Sequence, residues 1–112
     1  MFTHERLEAY RHGLAFYKIA RQVRLQLPAG LGDLRDELFR ASGSICRNTA
    51  EGANERTYAQ KRRYFYIALG STGECACILD QIEIEGAAPA ELLAAGRAEL
   101  NTAAALLVGL VR

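Results

Sequence analysis

Tryptophan is absent from the 112 residues, proline occurs twice and cysteine three times. So little proline excludes a proline-rich linker or tail. Cys75 and Cys77 sit too close for an easy bridge, and an odd count leaves one thiol over, so a disulfide framework is excluded as the source of stability. No run approaches the ~18 consecutive apolar residues of a membrane span. Residues 1–15 carry charges throughout and lack an apolar signal core, so a cytoplasmic protein with no membrane partner is expected. Strand signals are missing too. Neither sustained alternation nor an Asn-Gly turn occurs, and the one strand-like fragment, Ile82-Glu83-Ile84-Glu85, reads as the end of a helix.

What remains is enough for one domain spanning residues 1–112, with a single core and no room for a second catalytic or cofactor domain. The net charge of +1 hides a division. Residues 1–63 hold 12 Arg and Lys against 7 acids, or +5; residues 64–112 hold 2 Arg against 6 acids, or −4. Such a chain can offer one face to a polyanion, or complementary faces to its own copies.

Apolar residues recur in steps of three and four along four segments, which mark helical faces. The first is Leu7, Tyr10, Leu14, Tyr17, Ala20, Val23, Leu27, with Thr3 able to cap it and Pro28 stopping it. The second is Leu34, Leu38, Ala41, Ile45, Asn48, Gly52, with Asp33 as its cap. Thr57-Tyr58-Ala59-Gln60 fits a capping box and opens the third: Tyr58, Arg62, Phe65, Leu69, Thr72, Ala76, Leu79, Ile82. Gly86 ends it. Pro89 suits the first turn of the fourth: Leu92, Gly96, Leu100, Ala103, Leu107, Leu110. Helices over about 4–27, 33–53, 57–85 and 89–111, joined by short loops, predict an all-α, antiparallel, up-down-up-down four-helix bundle. The third helix is the longest and should overhang its neighbours, exposing Ile82 and Ile84 for another chain to cover.

Two small-residue runs, Ala41-Ser42-Gly43-Ser44 and Gly70-Ser71-Thr72-Gly73, face each other when the middle hairpin is folded about Glu55. Glycine inside a helix costs about 1 kcal/mol relative to alanine, so close approach of the two backbones is the expected compensation. The expected seam comprises Arg40, Ser44, Asn48, Glu51, Gly52, Gly70, Ser71 and Glu74. Arg40 and Glu74 should pair across it, and Asn48 and Glu51 should lie near Tyr58 and Arg62.

The segment Ser44-Ile45-Cys46-Arg47-Asn48-Thr49-Ala50-Glu51-Gly52, then Arg56, then Phe65-Tyr66-Ile67-Ala68-Leu69-Gly70-Ser71-Thr72-Gly73-Glu74 resembles the four-helix bundle proteins encoded in intervening sequences of bacterial 23S ribosomal RNA genes. The family pattern runs Ser-Ile, Asn, Ala-Glu-Gly, Arg, Phe, then Ala-x-Gly-Ser-x-x-Glu, and every element is present across essentially the whole chain. Thr49 departs from it, standing where the family usually has Ile. The resemblance implies a homo-oligomeric ring, typically a pentamer, with no enzymatic activity and a largely unassigned role. The chain is also similar to the accessory bundle protein of diversity-generating retroelements, which associates with nucleic acid and a reverse transcriptase. That likeness implies RNA or DNA, and a nucleic-acid-processing protein, as partners.

Candidate sites follow the charges. Arg56, Tyr58, Lys61, Arg62, Arg63, Tyr64 and Tyr66 alternate phosphate-neutralising and base-stacking side chains. The plainer reading is a solvated helix start with tyrosine stems packed in the bundle. Arg40, Arg47, Arg56, Lys61 and Arg63 are the nucleic-acid candidates, with Arg21 and Arg24 able to extend the surface. Ile82, Glu83, Ile84 and Glu85 are the candidate oligomer contacts, the glutamates, with Glu91, facing arginines of a neighbouring copy. A structural or protein-interaction ring without nucleic-acid binding is the alternative. No catalytic, cofactor or metal residues are expected. His4, Glu8 and His12 share a face at four-residue steps, but further ligands are missing. Cys46 has no nearby histidine as a base, and the thiols of Cys75 and Cys77 point about 200° apart on a helix. Only a deep pocket around Asn48, Glu51 and Glu74 would revive an enzymatic reading.

Overall fold

The computed structural model describes residues 2–112. Four α-helices follow in order: α1 (Glu8–Gln26), α2 (Gly32–Asn54), α3 (Tyr58–Glu85) and α4 (Ala90–Val111). Each packs on its neighbours in sequence and α1 closes on α4, so α1 and α3 lie on one diagonal of the bundle and α2 and α4 on the other. The short joints enforce the antiparallel arrangement. The bundle measures 44 × 25 × 22 Å, and at about 1.5 Å per residue α3 runs nearly its full length. None of the described helices is long and apolar enough to cross a membrane.

The ends obey local chemistry. Leu27, held extended ahead of Pro28, stops α1, and Arg35 donates to the carbonyls of Leu27 (2.7 Å) and Pro28 (3.1 Å). Thr57 Oγ1 accepts from the Gln60 amide at 3.2 Å, which supplies one half of the capping box. Gly86 takes the left-handed conformation (φ 64°), and the bonds Gly86 N–H to Glu83 O and Ala87 N–H to Ile82 O close a Schellman motif.

Two starts differ from the sequence reading. Thr3 does not cap α1: residues Thr3–Arg6 form a separate 3-10 turn, held by the Glu5 carboxylate accepting from the Phe2 amide at 2.9 Å, and α1 begins after Leu7. A second 3-10 turn, Ala29–Leu31, runs straight into α2, so Asp33 sits in the first turn and not at the cap.

The core has two parts. Phe16, Val23, Leu38, Ile45, Leu79, Ile82 and Leu93 anchor the larger one. Ala9, Phe65, Ala68, Leu107 and Val111 fill the other end. The buried hydroxyls of Thr49 and Thr72 donate to carbonyls of their own helices, Ile45 O (2.7 Å) and Leu69 O (2.6 Å). Thr49 therefore brings a hydroxyl into the interior without leaving it unsatisfied.

Ile82 corrects the overhang expectation. It is fully buried, in the same cluster as Leu27, with Leu31 and Ala87 packed against that cluster. The joints at either end of the neighbouring helices fold over this end of α3. Only Ile84 remains outside, 83% exposed.

Candidate nucleic-acid interface and the α2–α3 seam

Hydroxyls, not glycines, fasten the seam. Ser44 Oγ meets Ser71 Oγ at 2.8 Å, and Asn48 Nδ2 donates to the Ser44 carbonyl (2.9 Å) and Ser44 Oγ (3.0 Å). Ala41, Ser42, Ala68 and Thr72 are buried around them. Gly70 and Gly73 are not in the seam. Both are exposed, and a Cβ on either would meet nothing within 4 Å. Successive helical residues are about 100° apart, so turning Ser71 and Thr72 toward α2 turns Gly70 and Gly73 away. Close approach is found instead at Gly52, where a Cβ would lie 2.7 Å from the Phe65 ring and 3.1 Å from the Lys61 carbonyl of α3, while Gly96 of α4 makes room for side chains, a Cβ there lying 3.3 Å from Ile19.

Arg40 does pair with Glu74 across the seam, and it also reaches Glu37 at 2.6 Å. The pair lies at the rim of the seam, not within it. Arg40 is 53% exposed, and the three groups form a surface cluster. The guanidinium holds the Glu37 carboxyl below its ordinary range through a hydrogen bond and its charge. Glu51 is exposed, away from the seam.

Tyr58 and Arg62, expected near Asn48 and Glu51, hydrogen-bond to the end of α4 and not to those two residues. Arg62 Nε donates to Val111 O at 2.8 Å, and the Tyr58 hydroxyl donates to Arg112 O. The last carbonyls of a helix lack partners within it, and these two side chains supply them. The Arg62 guanidinium also lies 5.6 Å and 5.4 Å from the ring centres of Tyr58 and Tyr66. Nothing in the spacing of α3 announced this use, because it depends on where α4 ends.

The five candidate cations divide accordingly. Arg40 is held between two carboxylates. Lys61 donates to Ala53 O at 3.0 Å and so finishes α2. Arg47, Arg56 and Arg63 are exposed and, among the described residues, have no acidic partner. They lie within two turns of the α2–α3 joint, and Arg63 rests 5.6 Å from the Tyr64 ring centre. Of the proposed extension, Arg21 is exposed. Arg24 is engaged, its guanidinium 4.7 Å from the ring centre of Phe39 and 6.0 Å from that of Tyr17.

The acidic contacts divide too. Glu83 pairs with Arg97 at 2.7 Å within the chain, beside Asp80 at 3.0 Å, so it does not wait for a neighbour's arginine. Glu85 and Glu91 are exposed and, among the described residues, unpaired.

Asn48, Glu51 and Glu74 line neither of two hollows at the surface. One hollow of about 580 Å³ lies by Pro28, Glu85 and Gly86, and another of about 310 Å³ by Leu7, Leu106 and Leu110, both at the ends of the bundle. The His4–Glu8–His12 alignment fails because α1 starts at Glu8. His4 contacts Asn54 Nδ2 at 2.9 Å, while His12 Nδ1 pairs with Glu99 of α4 at 2.6 Å. No group of three or more His, Cys, Asp and Glu among the described residues could hold a metal ion. Burial pushes the Cys46 thiol up to about 11 and the Cys75 thiol to about 12.

No curated protein matches the chain. The family model of the 23S rRNA-intervening sequence protein matches residues 5–109, nearly the whole bundle. With its four helices and the Ser44–Asn48–Ser71 seam in place, the chain belongs to the 23S rRNA-intervening sequence protein family.

Proposed function

We propose that the protein is a non-enzymatic, homo-oligomeric scaffold, with a pentameric ring as the assembly its family resemblance implies, and that it binds RNA or DNA electrostatically at the α2–α3 joint. The observation that carries the reading is the group Arg47, Arg56 and Arg63: three exposed cations without acidic partners among the described residues, with Arg63 beside Tyr64 and the exposed Tyr66 about one turn further along α3. Cations left free can displace counterions from a phosphate backbone, and an exposed tyrosine ring can stack on an unpaired base. Arg40 and Lys61 contribute less, being engaged within the chain.

The test is fluorescence anisotropy with single- and double-stranded RNA and DNA over a salt series. Binding that weakens with salt, and a shallower salt slope in an Arg47→Gln, Arg56→Gln, Arg63→Gln variant, supports the reading. No binding at 50 mM salt by an intact oligomer removes the nucleic-acid part and leaves a structural ring.

A further inference from the structure

Two outer faces of the bundle lack a partner. On α1, Leu14, Lys18, Arg21 and Leu25 follow in steps of four, three and four. All four are exposed, Leu25 by 69%. On α3, Tyr66, Ile67, Gly70, Gly73, Cys77 and Ile84 occupy the outward side. From Tyr64 to Leu79 this helix carries one charge, Glu74, which Arg40 already holds. Asp80 and Glu85 lie beyond it.

The faces are complementary. The α1 stripe has two cations and no acid, whereas the far end of α3 carries Asp80, Glu83 and Glu85; Arg97 of α4 pairs with the first two, which leaves that end net negative. Leu14 and Leu25 project, and the glycines of α3 leave open space. Either face placed on its own twin would set cations against cations, or glycine hollow against glycine hollow.

Their heights match as well. α1 and α3 run the same way on one diagonal of the bundle. Gln26 and Glu85, 59 positions apart, line one hollow, and a Cβ on Gly96 of α4 would touch both Ile19 (3.3 Å) and Leu79 (3.7 Å), which are 60 apart. A rotation about an axis parallel to the helices keeps heights. An offset of about 59 then sets Leu14 over Gly73, Lys18 beside Cys77, Arg21 beside Asp80, which would share its carboxylate with Arg97 of its own chain, and Leu25 against Ile84.

We infer that the α1 face of one copy docks on the α3 face of a second, in parallel and at equal height, through Leu14, Lys18, Arg21 and Leu25 against Gly73, Cys77, Asp80 and Ile84. The inference rests on the self-assembly proposed above. A contact between two different faces repeats from copy to copy, and closes into a ring when the rotation allows.

Two variants test it, each altered at exposed positions of one face: Arg21→Glu with Leu25→Glu, and Cys77→Lys with Ile84→Lys. Circular dichroism melts confirm that both fold. In sedimentation velocity each sediments as a monomer alone, and an equimolar mixture re-forms complexes containing both. If the α1 variant alone keeps the wild-type size, the α3 face pairs with itself or is not used, and the inference fails. If the α3 variant alone does so, it fails likewise. A wild-type protein that is itself monomeric overturns the self-assembly reading and this inference together, whereas an assembled wild type with unaffected variants overturns the inference alone.

Discussion

Ser44 and Ser71 face each other across the middle of the bundle, hydroxyl to hydroxyl at 2.8 Å. Their situations are unequal. Ser44 Oγ also accepts from Asn48, whereas the hydroxyl of the buried Ser71 bonds Ser44 alone among the described residues. Ser44→Ala should therefore cost more than Ser71→Ala, roughly 1–2 against about 1 kcal/mol, because it strands a buried hydroxyl. The double variant should lose less than the sum. Urea unfolding of the four members of this cycle measures both, and full additivity would show that the two hydroxyls act independently.

The glycines separate into two groups that respond oppositely to alanine. Gly52→Ala pushes a methyl group to 2.7 Å and 2.8 Å from the Phe65 ring and 3.1 Å from the Lys61 carbonyl. A loss of about 1–3 kcal/mol is expected. Gly70→Ala and Gly73→Ala meet nothing, and in the unassembled chain they should gain roughly 0.5–1 kcal/mol through helix propensity. Thermal melts of the three variants in the Arg21→Glu, Leu25→Glu background decide the signs. In the otherwise native chain, Gly73→Ala should weaken assembly while stabilising each copy.

The three thiols should react at very different rates. Cys77 is exposed, whereas Cys46 and Cys75 are buried with their titration raised to about 11 and about 12. At pH 8 the thiolate fraction of Cys46 is about one in a thousand. Mass spectrometry after a short iodoacetamide pulse on the unassembled chain should find Cys77 alkylated and the other two labelled only after unfolding.

The same burial sets an alkaline limit. The folded state keeps the protons of Cys46 and Cys75 after the unfolded chain has begun to release its own. Their contribution is complete below about pH 8.5, and is lost as pH rises toward 11–12. The slope is at most about 1.4 kcal/mol per pH unit for each thiol. Urea midpoints between pH 8 and 10.5 should fall, and fall less in a Cys46→Ala, Cys75→Ala variant.

The helices and several of their ends were legible in the sequence because Pro28, Thr57 and Gly86 act on their immediate neighbours. The facing of residues was less so. In Gly70-Ser71-Thr72-Gly73 no residue is strongly apolar, so periodicity could not say which pair turned inward; the serine–serine contact decided it. Arg40–Glu74 was readable from the hairpin register, but its exposure was not, because register fixes height and not depth. The roles of Tyr58 and Arg62 depend on the end of α4, some 50 residues away, and local spacing carries no trace of that. Ile82 was misplaced for a similar reason. Its cover comes from joints, whose paths the helical pattern leaves open.

His12 and Glu99, which join α1 to α4, are 87 positions apart, against 27 for Ser44 and Ser71. Bringing together ends separated by the longer span costs about 1 kcal/mol more in chain entropy. The middle hairpin is therefore the natural nucleus of folding, and the first and last helices meet only after it has formed. A lesion at the His12–Glu99 clasp would chiefly hasten unfolding, while one at the serine pair would slow folding itself.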